Sequence, residues 1–78
     1  MAMGNADEAL KYLMMAEKVQ KQNGFDEQRM TTYNIIGVIY SNMGDALLSL
    51  DYYHAAMELA MKYSNIEFQA KIYNNVGV

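Results

Sequence analysis

The sequence predicts an all-α fold, a stack of helical hairpins, and three observations carry that expectation. The first is an internal repeat. Met3, Gly4, Ala6, Leu10, Tyr12, Ala16, Glu27, Tyr33, Asn34 and Gly37 recur forty positions later as Met43, Gly44, Ala46, Leu50, Tyr52, Ala56, Glu67, Tyr73, Asn74 and Gly77. Chance would give roughly 2 or 3 such coincidences in a chain of this composition. A period in this range belongs to helical solenoids, whose units are stable only against their neighbours. The second observation is that no proline occurs anywhere. The third is that methionine and tyrosine take the weight that valine and isoleucine would carry in a sheet.

Four helices follow in order. The first is predicted from about Asn5 to Asn23, with Ala9, Leu10, Leu13, Met15 and Ala16 recurring at helical spacing, and it stops at the helix-ending pair Asn23-Gly24. The second spans about Asp26 to Met43, packs through Tyr33, Ile36, Gly37, Ile39 and Tyr40, and ends at Gly44. The third spans Asp45 to Tyr63, with Leu48, Tyr52, Ala55, Ala56, Leu59 and Ala60 on its packed face. Asp45 is expected in its first turn, where the helix dipole favours negative charge. The fourth is predicted to open on Ser64-Asn65-Ile66-Glu67, a capping-box pattern, and to run to Val78. The connections are short, so neighbouring helices must fold back as antiparallel hairpins.

Composition narrows the function. Nine acidic against six basic residues leave a net charge of -3, without the cationic stripe that a duplex-binding surface needs, so nucleic acid is not an expected partner. No apolar run approaches membrane-spanning length, and Met1 to Met3 carry no basic flank or apolar stretch of the kind a signal peptide has. The absence of cysteine fits a reducing compartment, and a cytoplasmic location is expected.

Catalysis is not expected, nor is a cofactor or a metal. Without cysteine there is neither thiol catalysis nor a zinc–thiolate site. The single histidine, His54, lies close to Ser49 and Asp51, but residues at these spacings on one helix point in different directions. Asp7-Glu8 and Asp26-Glu27 are explained as charges in the first turns of helices, and Met14-Met15 as core filler. Glycine-rich phosphate loops do not occur.

The second and third helices carry an ordered set of residues that resembles the tetratricopeptide repeat. Tyr33, Ile36, Gly37 and Tyr40 match its first helix, Gly44-Asp45 its turn, and Leu50, Tyr52-Tyr53, Ala56 and Leu59-Ala60 its second helix. The same elements return in Gly4, Ala9, Leu10, Tyr12 and Ala16 before this unit and in Tyr73, Val76 and Gly77 after it. The forty-residue period is similar to the longer-linker version of that family. The resemblance implies a phase of B, A, B and a shortened A: residues 1–24 as the second helix of one repeat, 25–64 as a complete repeat, and 65–78 as the start of the next. On this reading the chain is a piece of a longer array. Gly37 and Ala56 are expected to meet at a close crossing, with Tyr33, Tyr40 and Tyr53 filling the spaces around them. Two departures stand out. Ala46-Leu47-Leu48 replaces an aromatic and charged stretch, and Ser49 replaces a small alanine.

In this family the first helix of each repeat lines a concave groove. Carried over, the groove positions are Thr31, Asn34, Ile35, Val38, Ser41 and Asn42, followed by Lys71, Asn74, Asn75 and Val78. Asn34 and Asn74 are expected on adjacent helices, where amides can both donate to and accept from a peptide backbone. Lys71 fits a carboxylate-clamp lysine, but Thr31, Ile35 and Val38 do not fit that set. The resemblance therefore implies a protein- or peptide-binding module of a larger signalling or adaptor protein. The alternative is a self-association or spacer segment attached to an effector domain such as a diguanylate cyclase, a kinase or a transcription regulator. Exposed apolar faces on the first and fourth helices are expected to drive self-association.

Overall fold

The computed structural model describes the backbone of residues 2–76 and the side chains of residues 5–76. Four helices make up this span: α1 (Ala2–Gln22), α2 (Asp26–Asn42), α3 (Ala46–Lys62) and α4 (Ile66–Val76), with no strand among the described residues. All-α is thus the observed class, and each helix lies within a few residues of its expected position. Helix α1 differs most. It begins at Ala2 and is already helical at Gly4, so Asp7 and Glu8 lie beyond its first turn, which contains no acidic residue.

The three connections are copies of one turn, spaced twenty residues apart. Helices α1, α2 and α3 each end on a residue in the left-handed region: Gly24 (φ 70°), Gly44 (φ 84°) and Ser64 (φ 54°). In each, the next residue's N–H donates to the carbonyl five positions back. Phe25 N–H reaches Gln20 O at 2.8 Å, Asp45 N–H reaches Tyr40 O at 2.9 Å, and Asn65 N–H reaches Ala60 O at 2.8 Å. The left-handed residue itself donates three positions back, from Gly24 to Lys21, Gly44 to Ser41 and Ser64 to Met61. This pair of bonds is the Schellman arrangement, which satisfies carbonyls that a helix end would leave bare.

The turns correct two expectations. Ser64 does not cap α4. It terminates α3 in the left-handed conformation, so the expected capping box does not form, and the cap falls to Asn65, whose Oδ1 accepts from Phe68 N–H at 3.0 Å. Asp45 likewise precedes α3 rather than sitting in its first turn, and its carboxylate accepts from Leu48 N–H at 3.2 Å. Phe25 holds the equivalent place before α2 and supplies no side-chain bond.

Consecutive helices pack against one another, and residue pairings set their directions. Glu17 meets Tyr33 and Gln20 meets Thr32 between α1 and α2. Asp26 meets Tyr63, Tyr33 meets Tyr52, and Gly37 meets Ser49 between α2 and α3. Numbers rise on one helix as they fall on the other, so both pairs are antiparallel. Helix α4 lies beside α2 and runs with it, since Asn34 meets Asn75 and Thr31 shares a cleft with Lys71. Helix α1 comes alongside α3 where Met14 and Glu17 face Asp51 and Ala55. The result is a slab measuring 38 × 32 × 17 Å, with α1 and α3 on one face and α2 and α4 on the other.

The core sits among α2, α3 and α4. Met30, Tyr53, Ala56, Leu59, Ala60 and Ile72 form its buried cluster, with Tyr33, Val38, Met57 and Phe68 packed against it. Ile36 and Leu10 are buried as well. Gly37 is closely approached, as expected. A Cβ there would stand 2.7 Å and 2.8 Å from two ring carbons of Tyr53. Tyr53 thus fills the space beside Gly37, as expected, and Tyr52 lies near both Tyr33 and Tyr40, with ring centroids 6.0 and 5.8 Å apart. Met15, expected as core filler, is exposed, and so is the apolar Leu47-Leu48 pair, Leu47 at 79%.

Candidate functional site

The expected groove positions separate into three groups. Thr31, Asn34, Ile35, Val38, Ser41 and Asn42 do share one side of α2, because three- and four-residue steps nearly complete a helical turn. Asn34 is only 8% exposed and faces α4, Val38 packs against the core, and Ile35 is exposed. Thr31 is exposed, its hydroxyl donating to Glu27 O at 3.4 Å, and Ser41 and Asn42 are exposed at the C-terminal end. On α4, Lys71 and Asn74 are exposed and Asn75 is half-buried, while Val78 lies outside the described residues.

Two amides meet, as α2 and α4 run side by side, but Asn34 is paired with Asn75 rather than with Asn74. Asn75 Nδ2 donates to Asn34 Oδ1 at 2.9 Å. Each helical residue turns the chain by about 100°, so neighbours such as Asn74 and Asn75 face different directions. The packing of Ile72 into the core aims Asn75 at α2 and leaves Asn74 outward. Asn34 Oδ1 is therefore occupied by a bond within the chain, and the exposed amide of α4 is Asn74.

Towards the start of the two helices the space between them opens into a cleft of about 420 Å³. The half-buried Phe68 supplies its apolar surface above the buried Met30, and Glu27, Gln28, Thr31, Asn65 and Lys71 its polar rim. The Lys71 ammonium stands 5.5 Å from the centroid of the Phe68 ring, a cation–π distance that holds the charge over the cleft wall. A second depression of about 510 Å³, bounded by Gly24, Phe25, Asp26 and Tyr63, shares Glu27, Gln28, Met30 and Asn65 with the first. Together they form one open channel across the ends of α2 and α4. Sequence reasoning passed over Phe68 and Met30; the spacing of Phe68 to Ile72 on α4, and of Met30 to Tyr33 and Gly37 on α2, was the available signal.

A polar chain that borders the second depression at Asp26 and Tyr63 ties three helices together. Tyr33 Oη donates to Glu17 at 2.5 Å, and burial, followed by that carboxylate, pushes the phenol up to about 12. The Arg29 guanidinium lies 5.9 Å from the Tyr33 ring centroid and 3.1 Å from Asp26. Its Nε is buried without a hydrogen-bond partner among the described residues. Asp26 also accepts from the Tyr63 hydroxyl and has Lys62 at 3.9 Å. The Tyr63 bond, aided by Arg29 and Lys62, holds the Asp26 carboxyl below the usual range. This chain has a structural explanation in the docking of α1 and α3 on α2. Among the described residues, no three His, Asp or Glu side chains converge as a metal ion would require. No described helix is long and apolar enough to cross a membrane.

No family model, curated protein or solved structure matches this chain.

Proposed function

We propose that the chain is a helical-repeat module of tetratricopeptide type that binds a protein or peptide segment through the cleft between α2 and α4. The observation that carries the reading is the cleft itself: apolar surface from the half-buried Phe68, with acidic, amide, hydroxyl and cationic groups around it. An extended or helical peptide needs apolar contact for affinity and rim groups for register. The twenty-residue spacing of the three turns, together with the forty-residue sequence repeat, supports the solenoid part of the reading. The role is recognition, not catalysis, within a larger cytoplasmic signalling or adaptor protein. Two helical walls offer little contact area, so binding by this segment alone is expected to be weak.

Selection of peptides from a displayed random library on the immobilised chain tests the reading. Enriched peptides should lose at least an order of magnitude in affinity against a Thr31→Arg, Lys71→Glu variant that retains its helical circular dichroism. Both residues are exposed, so the variant should fold. Failure to enrich any peptide, or enriched peptides that bind the variant equally well, would refute the cleft as a recognition surface.

A further inference from the structure

We infer that the pocket between α1 and α3 is a binding site for an organic cation of guanidinium or alkylammonium type. It opens on the α1 and α3 side of the slab, so the inference does not rest on what occupies the cleft between α2 and α4. The pocket measures about 300 Å³. Met14 and Glu17 of α1 and Asp51 and Tyr52 of α3 form its walls, and Tyr33 and Ile36 of α2 lie beneath them. All of these residues sit between helices of this chain. Helices placed before α1 or after α4 would add nothing to the lining and remove nothing from it.

Two carboxylates and no cation line this space. Glu17 accepts from Tyr33 Oη at 2.5 Å, and Asp51 is exposed. The two ion pairs among the described residues both end on Asp26, so no lysine or arginine there neutralises Glu17 or Asp51. Arg29 comes within 5.9 Å of the Tyr33 ring centroid, but it is held 3.1 Å from Asp26 and takes no part in the lining. The phenol of Tyr52 feels both charges. Burial raises it most, followed by Tyr40, Glu17 and Asp51.

The aromatic lining decides what kind of cation fits. Tyr33 and Tyr52 are half-buried, with ring centroids 6.0 Å apart and planes inclined at 43°. Ring faces attract a cation that has shed part of its water. A guanidinium can lie on a ring while its N–H groups reach carboxylates on two different helices. A calcium or magnesium ion would need more oxygen ligands than two carboxylates provide, and no three acidic or histidine side chains converge among the described residues. A neutral apolar ligand would strip water from two charges and return nothing. An anion would meet like charge. The fitting group is carried both by a small soluble amine or guanidine and by a lysine or arginine side chain of another protein.

The test titrates the chain with n-butylguanidinium, n-butylammonium and the neutral analogue n-butylurea, following the Met14 methyl and Tyr52 ring signals by nuclear magnetic resonance. Both cations should saturate these signals, and the urea should not. Asp51→Asn keeps the size of an exposed side chain and should weaken cation binding about three- to fivefold, the worth of one charge at a partly exposed site. Glu67→Gln removes an exposed carboxylate on α4 and should leave binding unchanged. Circular dichroism shows that each variant folds. A blocked glycine–arginine–glycine peptide separates the sources. If it saturates the pocket as the free cations do, the occupant is a basic side chain of a partner. If only the free cations saturate it, the occupant is a small soluble amine or guanidine. Failure of both cations to saturate the signals would overturn the inference, and so would equal binding of the urea. It would fall equally if Asp51→Asn bound as tightly as the natural chain, or if Glu67→Gln lost as much, since the latter marks attraction to net charge alone. None of these results bears on peptide capture by the cleft, which the separate Thr31 and Lys71 substitutions report.

Discussion

The hydroxyl of Ser49 donates to the carbonyl oxygen of Gly37 across 2.9 Å, in a buried site between α3 and α2. The two residues depend on each other. With no side chain at Gly37, the backbone of α2 is open to α3 at this point, and the Tyr53 ring lies directly against it. Ser49 fits there by being small, and it gives the exposed side of that carbonyl a donor. The repeat pattern would place alanine at this position; the serine adds a bond that fixes how far α3 slides along α2.

Ser49→Ala should therefore fold and lose stability by about 0.5–1.5 kcal/mol, the usual net worth of one such bond. Urea unfolding followed by circular dichroism measures it, with the midpoint moving down and the slope unchanged. A larger side chain such as Val should cost more, since the site has no spare volume.

Gly37→Ala sets two effects against each other. Replacing a glycine inside a helix gains about 1 kcal/mol of propensity. The new Cβ would stand 2.7 Å from a ring carbon of Tyr53, which is only 2% exposed and cannot move aside freely. Overpacking a core costs about 1–3 kcal/mol. The clash should win, giving a less stable protein. Combining the change with Tyr53→Leu should relieve it, so a double-mutant cycle should show positive coupling between the two sites.

Ser64→Gly should stabilise the chain. Ser64 holds φ 54°, a conformation that costs a residue with a Cβ about 1–2 kcal/mol. The other two turns show the converse. Alanine at Gly24 or Gly44 would meet no atom within 4 Å, so its cost would be that of the backbone conformation alone. Thermal melts of the three variants should thus move in opposite directions, upward for Ser64→Gly and downward for Gly24→Ala and Gly44→Ala.

Stability should fall at both ends of the pH scale for separate reasons. The Asp26 carboxyl is held below its ordinary 3.8 by Tyr63 first, then by Arg29 and Lys62. A carboxylate with a depressed folded value stabilises the protein above the unfolded value, and that contribution is lost as pH falls below about 3.8. Tyr63→Phe should remove part of this acid dependence. Tyr33 behaves in the opposite sense. Its folded value near 12 exceeds the unfolded 10.0, so its contribution is complete below pH 10 and is lost between 10 and about 12. An ultraviolet phenolate titration should show Tyr33 among several late tyrosines, since Tyr52, Tyr53 and Tyr63 are raised as well, and Glu17→Gln should bring Tyr33 earlier.

The amino-acid order alone was enough for the four helices and for the glycine turns that close the first two. Asn23-Gly24 and the Gly44 turn could be read because glycine tolerates the left-handed conformation that closes a helix. The forty-residue recurrence of Tyr, Gly and Ala positions was visible for the same kind of reason, since close helix packing admits few residue types. Other features came only with packing. Ser64 in a left-handed turn breaks the residue preference, and the bond from Asn65 N–H to Ala60 O shows that the third turn copies the first two. Asn75, not Asn74, meets Asn34, because the burial of Ile72 sets how far α4 is rotated about its axis. Which carbonyl Ser49 reaches and which ring covers Gly37 depend on the sliding of α3 along α2. Local propensity acts over a few residues and specifies where a helix starts and stops. The rotation and offset of one helix against another emerge only when all the side chains between them are packed at once.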